Sequence, residues 1–123
     1  MAVVTIDARD RTPIYAQLER GLRAAMATSR LKPGDQLPTV RQLAVELSIN
    51  ANTVARVYAD LERAGAIETR RGVGSFVATS AENARPPEER EKRLRAFVTR
   101  VQSEAGANGF SIEEVVTGLR EDT

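Results

Sequence analysis

Asn50, Asn52, Thr53 and Arg56 fall within seven residues of one another, and Ala51 and Ala55 between them carry almost no side chain. Amide, hydroxyl and guanidinium groups in that arrangement can donate to and accept from the edges of nucleic-acid bases. Asn52 could bond an adenine edge, Thr53 could meet a thymine methyl or a phosphate, and Arg56 could take a guanine or the backbone. The alanines leave room for close approach. Any one of these polar residues alone would pass for a solvated helix face, or in the case of Asn50 for a simple cap. Their joint placement after a capped helix and a tight turn favours DNA.

The segments around them are suited to positioning such a reader. Leu37 to Leu61 reads as two short helices joined by a turn at Ser48-Ile49. Thr39 and Gln42 form a capping box for the first, with Val40, Leu43, Ala44 and Leu47 as its inward stripe. Asn50 caps the second, whose buried stripe is Val54, Val57, Tyr58 and Leu61, and Gly65 stands where a left-handed residue ends it. Thr39 and Arg41 lie at the start of the first of the pair, where free amides and the helix dipole favour a phosphate. Ile67 to Val77 reads as a hairpin whose tip holds Arg70, Arg71 and Gly72, so that guanidinium groups can reach a minor groove.

An earlier helix is expected from Thr12 as N-cap and Pro13 as first helical residue to about Ser29, with Ile14, Leu18, Leu22, Ala25 and Met26 facing the core. Lys32-Pro33-Gly34-Asp35 fits a type II turn. Val3 to Ile6 is apolar and β-branched, enough for a small strand or a strap. After a break at Arg85-Pro86-Pro87, a helix from about Glu88 to Ala105 carries Leu94, Phe97, Val98 and Val101 on one face. Gly106 to Gly109 interrupts the chain. Ser111 and Glu114 then form a second capping box, with a staple between Phe110 and Val115, and Ile112, Val115, Val116 and Leu119 line the last helix to about Arg120.

The fold expected is therefore mainly α with a small β-hairpin wing: a winged helix-turn-helix over 1–79, followed by a two-helix dimerisation tail over 80–123. Two half-sites on DNA require two readers at a fixed separation. The dimer contacts are accordingly expected among Leu94, Phe97, Val98, Val101, Phe110, Ile112, Val115, Val116 and Leu119, although some of these must also pack within their own chain.

Composition narrows the alternatives. The chain has 123 residues with no cysteine and no histidine, which removes disulfides, thiolate sites and the commonest metal ligand and general base. No cofactor or metal is called for, and the adjacent acids Glu88-Glu89 and Glu113-Glu114 read as dipole-complementing charges rather than an acid/base pair. An enzyme is thus disfavoured. No apolar run approaches the roughly 18 residues of a membrane span and no signal peptide opens the chain, so a cytoplasmic location is expected. The net charge of +1 hides an uneven division: Pro13 to Thr79 holds nine Arg/Lys against six Asp/Glu, and Ser80 to Thr123 seven against nine. The basic part is the part with the motif.

The set Pro13-Ile14-Tyr15-Ala16-Gln17-Leu18, Leu31-Lys32-Pro33-Gly34-Asp35-Gln36-Leu37-Pro38-Thr39-Val40-Arg41, Asn52-Thr53-Val54 with Leu61 and Gly65-Ala66-Ile67, and Arg71-Gly72-Val73-Gly74-Ser75-Phe76-Val77 resembles the GntR family of bacterial transcription regulators over residues 12 to 78. The short tail resembles the YtrA-type subfamily, in which it serves dimerisation. That resemblance implies repression at an inverted-repeat operator, often near a transporter operon. It implies DNA contacts from Thr39, Arg41, Asn50, Asn52, Thr53, Arg56, Arg71 and Gly72. Ala51 departs from the Pro or Arg common in relatives, and Ser29 from the Gly that often ends the first helix. A winged helix that binds protein instead, as an adaptor, is the alternative from another class.

Overall fold

The computed structural model describes residues 3–79 and 87–121. The elements run α1 (Ile14–Ala27), α2 (Val40–Leu47), α3 (Ala51–Arg63), β1 (Ile67–Arg70), β2 (Gly74–Val77), α4 (Pro87–Ala107) and α5 (Ile112–Glu121). The chain divides into two compact units, Met1–Ala81 and Glu82–Thr123. The break expected at Arg85-Pro86 lies outside the described residues.

In the first unit, three helices and the hairpin enclose one core. Leu18 and Leu22 from α1, Leu43 from α2, and Val54, Val57 and Leu61 from α3 are its largest fully buried side chains. These are the positions that three- and four-residue spacing predicts. Ile14 is the exception, because it lies at the exposed start of α1. Thr12 does not cap that helix either: Pro13 is its N-cap, and the Pro13 carbonyl accepts from the amides of Ala16 and Gln17. The Thr12 carbonyl is instead bonded by the Gln17 side chain, which also accepts from the Asp7 amide and donates to the Asp7 carbonyl. Glutamine thereby ties the incoming segment to the helix. Val3 to Ile6 forms a strap without strand structure, and Val4 is buried in the core.

A helix as short as α2 is marginal by itself, and both of its ends are fixed. Thr39 Oγ1 accepts from the Gln42 amide at 3.1 Å while Gln42 Oε1 accepts from the Thr39 amide at 2.9 Å, the expected capping box. At the other end Ser48 adopts a left-handed conformation, φ 55°. A non-glycine residue there costs about 1–2 kcal/mol. The Ile49 amide closes the turn on the Ala44 carbonyl at 3.0 Å. Asn50 then starts α3 by accepting the Asn52 amide at 2.8 Å. Gly65, with φ 81°, ends it, and the Ala66 amide returns to the Leu61 carbonyl at 2.9 Å, a Schellman closure.

The hairpin pairs Ile67 with Val77 through Arg70 with Gly74, antiparallel. A third segment extends it. After the turn at Lys32 to Asp35, with Gly34 at φ 88°, the chain runs beside β2: Leu37 donates to the Ser75 carbonyl at 2.8 Å, Val77 to the Asp35 carbonyl at 2.8 Å, and Gln36 bridges Phe76. The wing is thus stitched to the segment that leads into α2.

In the second unit α4 begins at Pro87 and continues through Gly106 to Ala107, past the expected end at Ala105. Gly109 at φ 78° makes the break. The Phe110 amide bonds the Ala105 carbonyl at 2.9 Å, and Ala105 is the buried residue among the described residues of this unit. Ser111 and Glu114 complete the expected capping box on α5. Leu94, Phe97, Val98, Phe110, Ile112, Val116 and Leu119 all remain exposed, and Val101 and Val115 are half-buried.

Candidate nucleic-acid interface

Helix α3 has two contrasting sides. Val54, Val57 and Leu61 have no exposed surface, and Tyr58 is buried beside them. Asn52, Ala55, Arg56, Ala59 and Arg63 lie on the solvent side, with Thr53 half-buried between. The division follows from the 3.6-residue period, which sends an apolar stripe inward and leaves the intervening positions outside.

The predicted contact residues are not equally free. Asn50 spends its side-chain oxygen on the cap, which leaves its amide NH2 to donate outward. Thr39 accepts from Gln42 but keeps its own hydroxyl proton, and the amides of Val40 and Arg41 have no partner among the described residues. Those unpaired amides at a helix start, with the exposed Arg41 beside them, can hold an anionic oxygen. Arg63 is paired with Asp60, three residues earlier on the same helix.

In the wing, the three-residue loop Arg71-Gly72-Val73 is exposed, and the Val73 amide turns back to the Arg70 carbonyl at 3.0 Å. Arg70 does not extend freely with it: its guanidinium lies over the Phe76 ring, 4.1 Å from the centroid. Gln36 braces the loop from below, donating to the Val73 carbonyl at 3.1 Å. Glycine is favoured at Gly74 by its backbone, φ 140°, a conformation that L side chains rarely adopt; a Cβ there would also meet the Gln36 amide nitrogen at 2.8 Å and displace that flexible side chain from the Val73 carbonyl.

Two groups that periodicity alone does not assign help to build this surface. Tyr58 appears in the sequence as one more apolar position, yet its hydroxyl donates to the Pro38 carbonyl at 2.8 Å and so fixes the entrance of α2 against the middle of α3. Burial pushes its phenol pKa from 10.0 up to about 12. A raised pKa favours the neutral phenol in the folded state. That contribution is whole below pH 10 and is lost as pH climbs towards about 12. Tyr58→Phe should cost about 1 kcal/mol near neutrality. The gap to wild type should then narrow through that alkaline window in denaturant titrations. A gap independent of pH would mean that water already reaches the hydroxyl. The other group is Tyr15, exposed near the start of α1, where the Arg56 guanidinium lies 4.1 Å from its ring centroid.

Residues 14–77 match the model of the bacterial regulatory proteins of the gntR family. The chain belongs to the GntR family. Among relatives of this GntR-family protein is the uncharacterized HTH-type transcriptional regulator YhcF of Bacillus subtilis, 35% identical over 108 residues, 88% of each chain. The HTH-type transcriptional repressor YtrA of the same organism is 43% identical over 79 residues, 64% of this chain and 61% of that one. The solved structure of YtrA from Sulfolobus acidocaldarius, a GntR-family transcription factor, is 29% identical with a TM-score of 0.59, covering 83% of this chain and 99% of that one. This GntR-family protein is a DNA-binding transcriptional regulator, not an enzyme, built as a winged helix-turn-helix followed by two C-terminal helices. No helix among its described residues is long and apolar enough to cross a membrane.

Proposed function

We propose that the protein is a cytoplasmic repressor that binds an inverted-repeat operator as a homodimer. Each protomer lays α3 in a major groove and its wing in the adjacent minor groove. The observation that carries this is the outward side of α3, where Asn52 and Arg56 are exposed on a helix whose opposite side is wholly buried. Asn50, Asn52, Thr53 and Arg56 read bases, Thr39 and Arg41 hold phosphate at the start of α2, and Arg70, Arg71 and Gly72 serve the minor groove, with the Arg70 guanidinium directed by the Phe76 ring beneath it. The likeness to the repressor YtrA supports repression, and the resemblance of the short tail to the YtrA-type subfamily is what suggests control of a transporter operon. Leu94, Phe97, Val98, Val101, Phe110, Ile112, Val115, Val116 and Leu119 supply the contacts between protomers.

Selection of bound duplexes from a random pool tests the reading. Wild type should enrich an inverted repeat. Asn52→Ala or Arg56→Ala should lose preference at one base step, a cost of about 1–3 kcal/mol where the contact is bidentate. Arg71→Ala should weaken binding evenly across sequences and lower the salt slope by about one. Equal affinity of wild type for selected and random duplexes refutes the proposal, and affinity indifferent to salt would point to a protein partner instead.

A further inference from the structure

We infer that Tyr15 is a positioning residue for DNA recognition, acting through Arg56: the ring on α1 holds the guanidinium that α3 presents. The inference rests on the operator-binding reading and adds to it a residue from outside the helix-turn-helix and the wing.

Arg56 is the long, flexible member of the proposed base-reading set Asn50, Asn52, Thr53 and Arg56. An arginine that swings freely loses much rotamer freedom when it grips a base or a phosphate, whereas one already confined has less to lose. Confinement is present before any nucleic acid arrives. The Arg56 guanidinium sits 4.1 Å from the Tyr15 centroid, within cation–π range. Among the described residues it forms no ion pair, in contrast to Arg63 on the same helix.

The nature of the contact suits a group that must still bind something else. Among the described residues the Arg56 side chain donates no hydrogen bond, so while its guanidinium rests over the ring its five donors remain for an acceptor on DNA. A carboxylate partner would occupy those donors instead. The aromatic ring therefore fixes direction without taking up hydrogen-bonding capacity.

Tyr15 itself has little structural work to do. It lies outside the buried α1 stripe of Leu18, Leu22 and Ala25, and it is 39% exposed. A residue so placed can be changed with small effect on folding, which separates positioning from stability.

The test is a double-mutant cycle on the duplex that wild type selects, with thermal unfolding measured in parallel. Tyr15→Leu should weaken binding about two- to fivefold, the range of an exposed cation–π contact. Tyr15→Phe, which keeps a ring, should stay within about twofold of wild type. Once Arg56 is already alanine, adding Tyr15→Leu should cause no further loss. Melting temperatures should barely move. Additive losses in the cycle, loss of binding by Tyr15→Phe equal to that of Tyr15→Leu, or wild-type affinity in Tyr15→Leu would each overturn the assignment while leaving operator binding intact. A wild type that discriminates among no duplexes would bring down the operator reading, and this inference with it.

Discussion

Phe97→Asp should convert the protein to single chains in solution and reduce its affinity for a complete inverted repeat by about 10²–10⁴, the advantage of joining two binding sites. Phe97 is 54% exposed, and Leu94, Val98 and Val101 share its face of α4 at helical spacing. Leu119, 63% exposed, and Ile112 and Val116 line α5 in the same manner. Apolar side chains in such number on one small helical hairpin mark a surface built to be covered. A carboxylate there would have to be buried on association, and pairing with Arg100, whose guanidinium lies 5.7 Å from the Phe97 ring centroid, would leave two charges to desolvate, which disfavours the dimer. Sedimentation gives the mass and a binding titration gives the affinity. Binding to an isolated half-site should be unchanged, because the reading helix belongs to the other compact unit. A variant that stays dimeric, or one that loses half-site affinity as well, would show that the interface lies elsewhere or that the substitution disturbed the reader.

Leu61→Ala should be strongly destabilising, costing about 2–5 kcal/mol. Leu61 has no exposed surface, and its carbonyl also receives the Ala66 amide that closes the helix before β1. The cavity left by an alanine would sit where α3 turns into the wing. For a unit of this size such a loss lowers the melting temperature by about 10 °C or more. Ala59→Ser, on the exposed side of the same helix, should change stability by no more than about 0.5 kcal/mol. Similar melting temperatures for the two variants would contradict the division of α3 into a buried and a free side.

The parts of the molecule set by near neighbours were legible in the sequence. Thr39 with Gln42, Asn50 before Asn52, Ser111 with Glu114, and Gly65 after α3 each act within a few residues, so their types and spacing suffice to place the helix ends. The apolar stripes that build the core follow from the helical period. What the sequence could not show depends on residues brought together from a distance. Gln36 reaches Val73 across 37 positions, and Tyr58 reaches Pro38 across 20. Neither residue carries a local signal of that role. Pro13 was legible as a helix start but not as the cap itself, because Gln17 holds the Thr12 carbonyl and Thr12 stays outside the helix. Arg70 and Arg71 look equivalent as letters, and the Phe76 ring beneath one of them separates the two.

Because the inner side of α3 carries the packing and the outer side almost none, the proposed reading of DNA by α3 predicts that the address such a regulator recognises can be rewritten without rebuilding the scaffold. Exchanges at Asn52, Ala55 and Ala59 touch no core neighbour, so a library over those positions samples new target sequences at nearly constant thermal robustness. Arg56 is best varied together with Tyr15, since the two side chains are in contact. Retargeting then becomes a matter of surface chemistry on a helix that stays folded.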